Sequence, residues 1–453
     1  CQAPTGIGKS MSVLFPALKS MGNESVGPIF YLTARGTTRT AAENALAILR
    51  DTEPELHLRS VTLTAKDKIC LCETRECTPE ACPYANGYYA RIKGALWDVL
   101  DVPCLTAETL QEYAERHTVC PFELGLDSSL WSDVIIGDYN YLFDPVVHLV
   151  RFFESAGDYI FLVDEAHNLP GRAREMHSAA LTKTSFYEAK KLLGKGKSSL
   201  KNALTKVNDV FIEWRHRAEE ETAARDGRFG KTFFLKERSE EFDHLLNRLC
   251  EPLEAWLDDH REPDETHTAL LQLYFDVRAW LRVADTFDDH FVLQITASGS
   301  EVRAAQLCLD PSAFLADSFA LGRAAVLFSA TLAPASYYKD LCGVPEARAV
   351  TLRSPFPAGN QGLFCIGNVS TRYKDRDASL AIVEESLATM VRARCGNYLA
   401  FFPSYAYMEQ AYAQFKEHCP EINCIKQENA MDEQRPFWPS LCRAPANPCW
   451  ALP

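Results

Sequence analysis

Ala3-Pro4-Thr5-Gly6-Ile7-Gly8-Lys9-Ser10 is the stretch on which the reading of this 453-residue chain turns. Glycines at 6 and 8 let successive backbone N–H groups turn inward around an anion. Lys9 is then placed for the β- and γ-phosphates of a nucleotide, and the Ser10 hydroxyl for Mg²⁺. The pattern is Walker A, with alanine in the first glycine's place and Pro4, Thr5 and Ile7 completing the loop. Met11, Leu14, Phe15 and Leu18 recur at helical spacing behind it. A helix beginning there would point its N-terminal dipole at the phosphates. So loose a pattern arises by chance in roughly a few per cent of chains of this length, so a second half of the site is needed.

That half is Tyr159-Ile160-Phe161-Leu162-Val163, a continuous apolar run that reads as a buried parallel strand. It ends in Asp164-Glu165-Ala166-His167. A carboxylate at the end of a strand beside a phosphate loop is where Mg²⁺ is held, which gives Asp164 its role. Glu165 is placed to orient or deprotonate the attacking water, and His167 to link the γ-phosphate to the rest of the molecule. The competing reading, a helix cap with a first-turn acid, weakens once the upstream loop is counted. ATP and Mg²⁺ are the expected cofactors.

Size and composition place this site in a multidomain globular protein. At 453 residues, 47% of them hydrophobic, the chain is expected to build two to four domains. It has no uninterrupted apolar stretch long enough to span a bilayer and no basic-then-apolar leader, so the expectation is a soluble, cytoplasmic protein with no membrane partner. The net charge of −14 argues against a nucleic-acid partner, but local patches decide such binding. Lys183, Lys190, Lys191, Lys195, Lys197, Lys201 and Lys206 form one candidate, readable as a phosphate track or as a solvated helix face.

With sixteen cysteines and no secretion signal, clustered thiols point to a metal rather than to disulfides. Cys70, Cys77, Cys82 and Cys120 are spaced C-x6-C-x4-C-x37-C between the two halves of the phosphate site. All-thiolate ligation suits zinc or an iron–sulfur cluster. The staggered spacing lacks the two tight pairs usual for zinc. Reduced thiols without metal are the remaining reading, and Cys72 and Cys104 are spare thiols that complicate the choice.

The order of these motifs resembles the DinG/XPD family of superfamily-2 DNA helicases, from Cys1 to about Gln434. Tyr31-Leu32-Thr33-Ala34-Arg35-Gly36-Thr37-Thr38 is similar to the family's motif Ia, and Ser329-Ala330-Thr331 to motif III. Gly137-Asp138-Tyr139-Asn140-Tyr141-Leu142-Phe143 falls between them, and Asn397 to Ser404 is similar to the opening of the second motor domain. The resemblance implies a [4Fe-4S] cluster on Cys70, Cys77, Cys82 and Cys120. It implies coupling of nucleotide state through Ser329 and Thr331, and DNA contacts at Thr33, Arg35, Thr38, Arg39, Asn140 and Tyr141. Hydroxyls and guanidiniums in the 33–39 segment also suit phosphodiester contact on chemistry alone, with helix capping by Thr37 or Thr38 as the equal alternative.

The expected architecture is α/β: a RecA-like P-loop NTPase motor domain with an iron–sulfur insertion and a helical arch insertion, plus a partial second RecA-like domain. Its bounds are motor domain 1 at 1–68, the cysteine insertion at 69–122, motor domain 1 again at 123–170, the arch at 171–319, the end of motor domain 1 at 320–343, partial motor domain 2 at 344–434 and an aberrant tail at 435–453. Trp214, Trp256 and Trp280 in the arch are expected in its core rather than stacked on bases. Strands are expected at 363–366 and 398–402. The tail's prolines exclude helix and central strand, and a frameshift or a genuine proline-rich tail accounts for it. The strand that should precede the phosphate loop is missing, and upstream sequence is expected to have been lost.

The implied activity is ATP-driven 5′-to-3′ movement on single-stranded DNA with unwinding of forked duplexes. Without a segment supplying an arginine finger, this chain is expected to be a feeble ATPase. The alternatives are a DNA-stimulated ATPase that remodels protein–DNA complexes, and an iron–sulfur DNA-binding protein with a degenerate motor. Protein partners are not legible.

Overall fold

The computed structural model describes residues 1–23, 26–34, 36–53, 55–194, 198–224, 231–261, 264–370, 372–394, 396–426 and 448–452. They divide into two units, Cys1–Ser354 and Pro355–Pro453.

In the first unit the strands are β1 (Ile29–Thr33), β2 (Ser60–Thr62), β3 (Cys104–Leu105), β4 (Val134–Asp138), β5 (Ile160–Asp164), β6 (Ala179–Thr182), β7 (Thr232–Leu235), β8 (Phe291–Ser298), β9 (Glu301–Cys308) and β10 (Ala324–Phe328). Six of them form a wholly parallel sheet in the order β10-β5-β1-β4-β2-β3. β1 and β5 are buried along their whole length because both faces are covered, which is why they are continuous apolar runs rather than alternating ones. On one face Ile29, Tyr31, Val134, Ile136 and Leu162 pack with Leu14 and Leu46, from the helices Lys9–Asn23 and Gly36–Thr52. On the other, Phe30, Leu32, Ile135, Phe161 and Val163 join Leu124, Leu142 and Leu169. Phe30 also meets Phe152, Phe153 and Tyr159 edge-on or tilted, with ring centroids 4.9–5.5 Å apart. This geometry adds to area burial.

The register aligns the carboxyl ends of the strands: Thr33 opposite Asp138, Leu32 opposite Val163, and Phe328 opposite Asp164. In open parallel sheets this edge is where ligands bind.

The residues ahead of the phosphate loop are held without a full strand. Gln2 makes parallel bridges to both Ser329 and Thr351. Its N–H donates to the Val350 carbonyl at 2.8 Å, and its own carbonyl accepts from Leu352 at 2.9 Å. On the other side the Cys1 carbonyl accepts from the Ser329 N–H at 3.1 Å and the Ala3 N–H donates to the Ser329 carbonyl at 2.9 Å, so residues 1–3 anchor the loop between two segments, where sequence reading expected no support.

The 171–319 interval has its helices, Ser199–Ala224, Glu240–Asp259 and Glu265–Thr286 among them, and also a four-stranded antiparallel sheet, β6-β9-β8-β7. The mainly helical expectation missed this sheet. β8 alternates buried and half-buried positions, and Gly299-Ser300 joins it to β9 with Gly299 at a φ of 61°. A two-residue glycine turn between alternating runs is a hairpin signal. Trp214 and Trp280 lie in this unit's core and Trp256 packs against it, as expected for core side chains. The lysine run is not one surface: Lys201 is buried and donates to the Gly194 carbonyl, Lys183 donates to Ser300, and Lys195 and Lys197 lie outside the described residues.

In the second unit, β11 (Tyr398–Phe401), β12 (Asn423–Lys426) and β13 (Pro448–Leu452) form a parallel sheet in the order β11-β13-β12, beside the helices Arg376–Ala393 and Tyr405–His418. Two expectations are corrected here. Residues 363–366 form no strand; Leu363 is 91% exposed and pairs with nothing in the described sheet. The tail supplies a central strand, and its proline is tolerated because Pro448 is that strand's first residue, where a missing N–H costs least. Residues 435–447 lie outside the described residues.

Candidate nucleotide site and cysteine pocket

Gly6 and Gly8 both adopt a φ of 79°. At Gly8 a Cβ would meet nothing within 4 Å, so backbone conformation rather than room demands glycine there. The helix begins at Lys9, which leaves the loop's amides at its N-terminus. Pro4, Thr5, Gly6 and Ile7 remain partly or fully open to solvent.

Asp164 ends β5 and is 5% exposed. Three bonds fix it before any ligand is present. Oδ1 accepts from the Glu165 N–H at 2.8 Å, Oδ2 from the Tyr31 hydroxyl at 2.8 Å, and the main-chain carbonyl from the Tyr139 hydroxyl. Burial nonetheless pushes the Asp164 carboxyl above its ordinary range, against the pull of those donors. Burial and the adjacent carboxylate also raise Tyr31 and Tyr139, which therefore stay protonated donors.

Glu165 sits in the left-handed backbone region at φ 48°, a conformation that costs a non-glycine residue of order 1 kcal/mol or more. It aims Oε2 at Ser329, whose hydroxyl lies 2.9 Å away, while His167 Nδ1 is 2.7 Å from the same hydroxyl and 3.3 Å from Glu165. The Thr331 N–H reaches Ser329 Oγ at 3.3 Å. Glu165, His167, Ser329 and Thr331 thus form one network across the ends of β5 and β10.

The candidate nucleic-acid residues divide. Thr33 is fully buried and bonded to Thr38, and Tyr141 is 7% exposed with its ring against Gly137. Burial removes both from the surface, which corrects their assignment as DNA contacts. Arg35 lies outside the described residues. Arg39 and Asn140 meet at Asp138: Arg39 Nη2 is 3.8 Å from its carboxylate, and the Asn140 N–H donates to it at 3.1 Å. Arg172, which sequence reading missed, donates to Asn140 Oδ1 at 3.2 Å and lies 4.0 Å from Asp138. No motif flagged it, because it sits on a separate helix, Leu169–Met176.

Cys70, Cys77, Cys82 and Cys120 line one cavity of about 260 Å³, roofed by Lys66, Tyr84, Tyr88 and Phe122. Cys72 stands outside that lining with Sγ 3.9 Å from Cys82 Sγ, and Cys104 is away in β3. Cys120 precedes the helix Pro121–Ser128, whose first N–H groups favour its thiolate, though burial dominates and raises it. Burial works against the Lys66 ammonium, but Cys77, Glu123 and Cys120 outweigh it and raise its pKa. Among the described residues no three His, Cys, Asp or Glu converge as a single ion would require.

The family model DEAD_2 matches residues 52–186, a span that takes in the cysteine pocket and the Asp164 strand. The chain is 24% identical over 383 residues to the general transcription and DNA repair factor IIH helicase subunit XPD of Schizosaccharomyces pombe, covering 69% of this chain and 49% of that protein. It is 27% identical over 157 residues to a regulator of telomere elongation helicase 1 homolog of Anopheles gambiae, covering 32% of this chain and 16% of that one. The solved structure titled XPD_Helicase superposes with a TM-score of 0.54 at 16% identity, covering all of this chain and 76% of its own. These matches are all to helicases, and the chain is similar to the XPD/DinG-type helicases of superfamily 2. It spans about half the length of its XPD relative and less of the telomere-elongation one.

Within this XPD/DinG-type frame the parallel sheet is the RecA-like core. The residues that sequence reading overlooked share one trait. Tyr31, Tyr139 and Arg172 act through partners on other strands or helices, the Asp164 carboxylate, the Asp164 main-chain carbonyl and the Asn140 amide oxygen. The one available signal was a tyrosine inside an otherwise apolar strand, whose hydroxyl needs a partner when buried. Among the described residues no helix is long and apolar enough to cross a membrane.

Proposed function

We propose that this chain is the nucleotide-binding part of an ATP-dependent DNA helicase that steps along single-stranded DNA and opens forked duplexes. The observation that carries the reading is the network at the sheet's carboxyl edge, where Ser329 Oγ joins the Glu165 carboxylate to His167. ATP would sit with its phosphates on the Gly6–Ser10 loop and Lys9, and with Mg²⁺ between Ser10 and Asp164. Glu165 would orient the attacking water. A change at the γ-phosphate would reach β10 through Ser329, which converts nucleotide state into movement. Thr38, Arg39, Asn140 and Arg172 would meet the DNA backbone, with Asp138 holding the two guanidiniums until phosphates compete for them. Polarity, 5′ to 3′, rests on the family resemblance.

Cys70, Cys77, Cys82 and Cys120 fit a [4Fe-4S] cluster. Four thiols surround a cavity wider than one ion with ~2.3 Å bonds needs, and Cys72 lies outside it. When bound, the cluster would tie the loop that follows Ile69 to the start of the helix Pro121–Ser128 and so fix a small domain beside the DNA path.

The test is ATP binding and turnover by this chain, with and without single-stranded DNA, beside Lys9→Ala. Binding that Lys9→Ala abolishes, with a weak turnover that DNA stimulates, is expected. A chain that fails to bind ATP, or binds it equally after Lys9→Ala, would remove the motor reading. Fork unwinding with 5′ or 3′ tails then separates a helicase from an ATPase that remodels protein–DNA complexes.

A further inference from the structure

β1 crosses the middle of the parallel sheet, buried on both faces, and its other side chains there are Ile29, Phe30, Leu32 and Thr33. A tyrosine at such a place costs stability unless its hydroxyl finds a partner. Tyr31 is fully buried, and its ring packs against Phe328 with centroids 5.9 Å apart. The hydroxyl emerges at the sheet edge between two groups remote from each other in sequence, 2.8 Å from Asp164 Oδ2 and 3.1 Å from Ser10 Oγ. They belong to the two residues, Ser10 and Asp164, that the proposed function assigns to Mg²⁺.

We propose that Tyr31 is a positioning residue for the metal–nucleotide complex: its hydroxyl links Ser10 to Asp164 and orients both ligand oxygens in advance. The argument rests on the Mg²⁺–ATP reading above and follows from proton counting. A phenol has one proton to give, and the carboxylate is the stronger acceptor. With that proton on Asp164 Oδ2, the phenol oxygen is free to accept the proton of Ser10. The serine hydroxyl then points away from the loop and turns its lone pairs toward the metal position. Asp164 is held from its other side as well, because Oδ1 accepts from the Glu165 N–H. Neither ligand has to be searched for among rotamers when the metal–nucleotide arrives, and groups hydrogen-bonded to metal ligands typically set affinity in this way.

The test uses the full chain and a fluorescent ADP analogue, titrated first in EDTA and then at rising Mg²⁺, with Mn²⁺ electron paramagnetic resonance of the same complex. Tyr31→Phe keeps the ring and removes only the hydroxyl. Tyr159→Phe, which loses a hydroxyl bonded to the Phe152 carbonyl at 3.0 Å on a different part of the sheet, controls for the loss of any partnered phenol. For Tyr31→Phe we expect unchanged nucleotide affinity in EDTA, a Mg²⁺ half-saturation raised about tenfold and an altered Mn²⁺ spectrum. Tyr159→Phe should behave as wild type in all three. The proposal is overturned if Tyr31→Phe keeps the wild-type Mg²⁺ requirement, or if its affinity falls equally in EDTA and in Mg²⁺, which marks general damage. If the unmutated chain binds nucleotide without any Mg²⁺ dependence, the metal–nucleotide reading itself fails, and that outcome is distinguishable from the other two.

Discussion

Glu165 departs from the backbone conformation that its neighbours adopt, at φ 48°, and its Oε2 accepts from the Ser329 hydroxyl at 2.9 Å. Glu165→Gln keeps the shape and removes the base, so turnover should fall by roughly a hundredfold or more while ATP remains bound, since a positioned base contributes about 10²–10⁴. Ser329→Ala instead removes the hydroxyl that bridges Glu165 and His167, leaving only their direct 3.3 Å approach. It should leave ATP affinity intact and reduce the DNA stimulation of turnover more than the basal rate. Equal loss of both rates would mean that Ser329 serves the chemistry alone. At this scale the sequence is informative wherever a residue's proposed role lies in its own chemistry, as for Lys9, Asp164 and Glu165. It was silent where the role lies in a partner brought by the fold. Arg172 gains its place only from a helix that lays it against Asn140, and Tyr141 loses its surface role only because its ring folds back onto Gly137.

Elements carry the next two predictions. The segment with Cys70, Cys77 and Cys82 and the helix after Cys120 enclose one pocket that excludes Cys72. Cys77→Ser should therefore cost most of the bound iron and sulfide, and Cys72→Ser little of either, as read by elemental analysis of purified protein. The reverse pattern would make Cys72 the ligand. In the four-stranded unit, Asp243 on the helix Glu240–Asp259 is buried and accepts from Trp280 Nε1 at 2.8 Å, while its other oxygen has no hydrogen bond among the described residues and only a long, 4.0 Å ion pair with Arg238. Burial raises its carboxyl despite the Trp280 bond. A raised carboxyl contributes stability that is full below its unfolded value, near 4, and is lost as pH rises through the folded value. Asp243→Asn should thus gain thermal stability relative to wild type as pH is raised from about 4 toward neutrality, measured as the difference in unfolding midpoint. A difference independent of pH would show that the carboxyl is not raised. The hairpin in this unit was legible from its alternation and from Gly299. The helical periodicity around it, Leu246, Leu249 and Leu253, was the louder signal and hid it.

For the molecule as a whole, a net charge of −14 sits beside a proposed DNA path. Binding must therefore come from local cations, and it should weaken steeply with salt. The slope for single strands is about −0.7 per phosphate neutralised. A single-stranded DNA affinity that stays flat between low and moderate salt would count against that path. The α/β architecture could be read from two motifs because a phosphate loop and an apolar run ending in a carboxylate leave few other arrangements. The tail could not be read, because Pro448 looks like a strand breaker until a strand starts on it. The linkage at Gln2 has a mechanical consequence. The chain leaves the first unit through Val350, Thr351 and Leu352, and these are laced in parallel to the residue just ahead of the phosphate loop, by bonds of 2.8 and 2.9 Å. Tension drawn along that exit loads the bonds in shear, together rather than one after another, so a tug on the connector would arrive at the phosphates before it could peel the sheet.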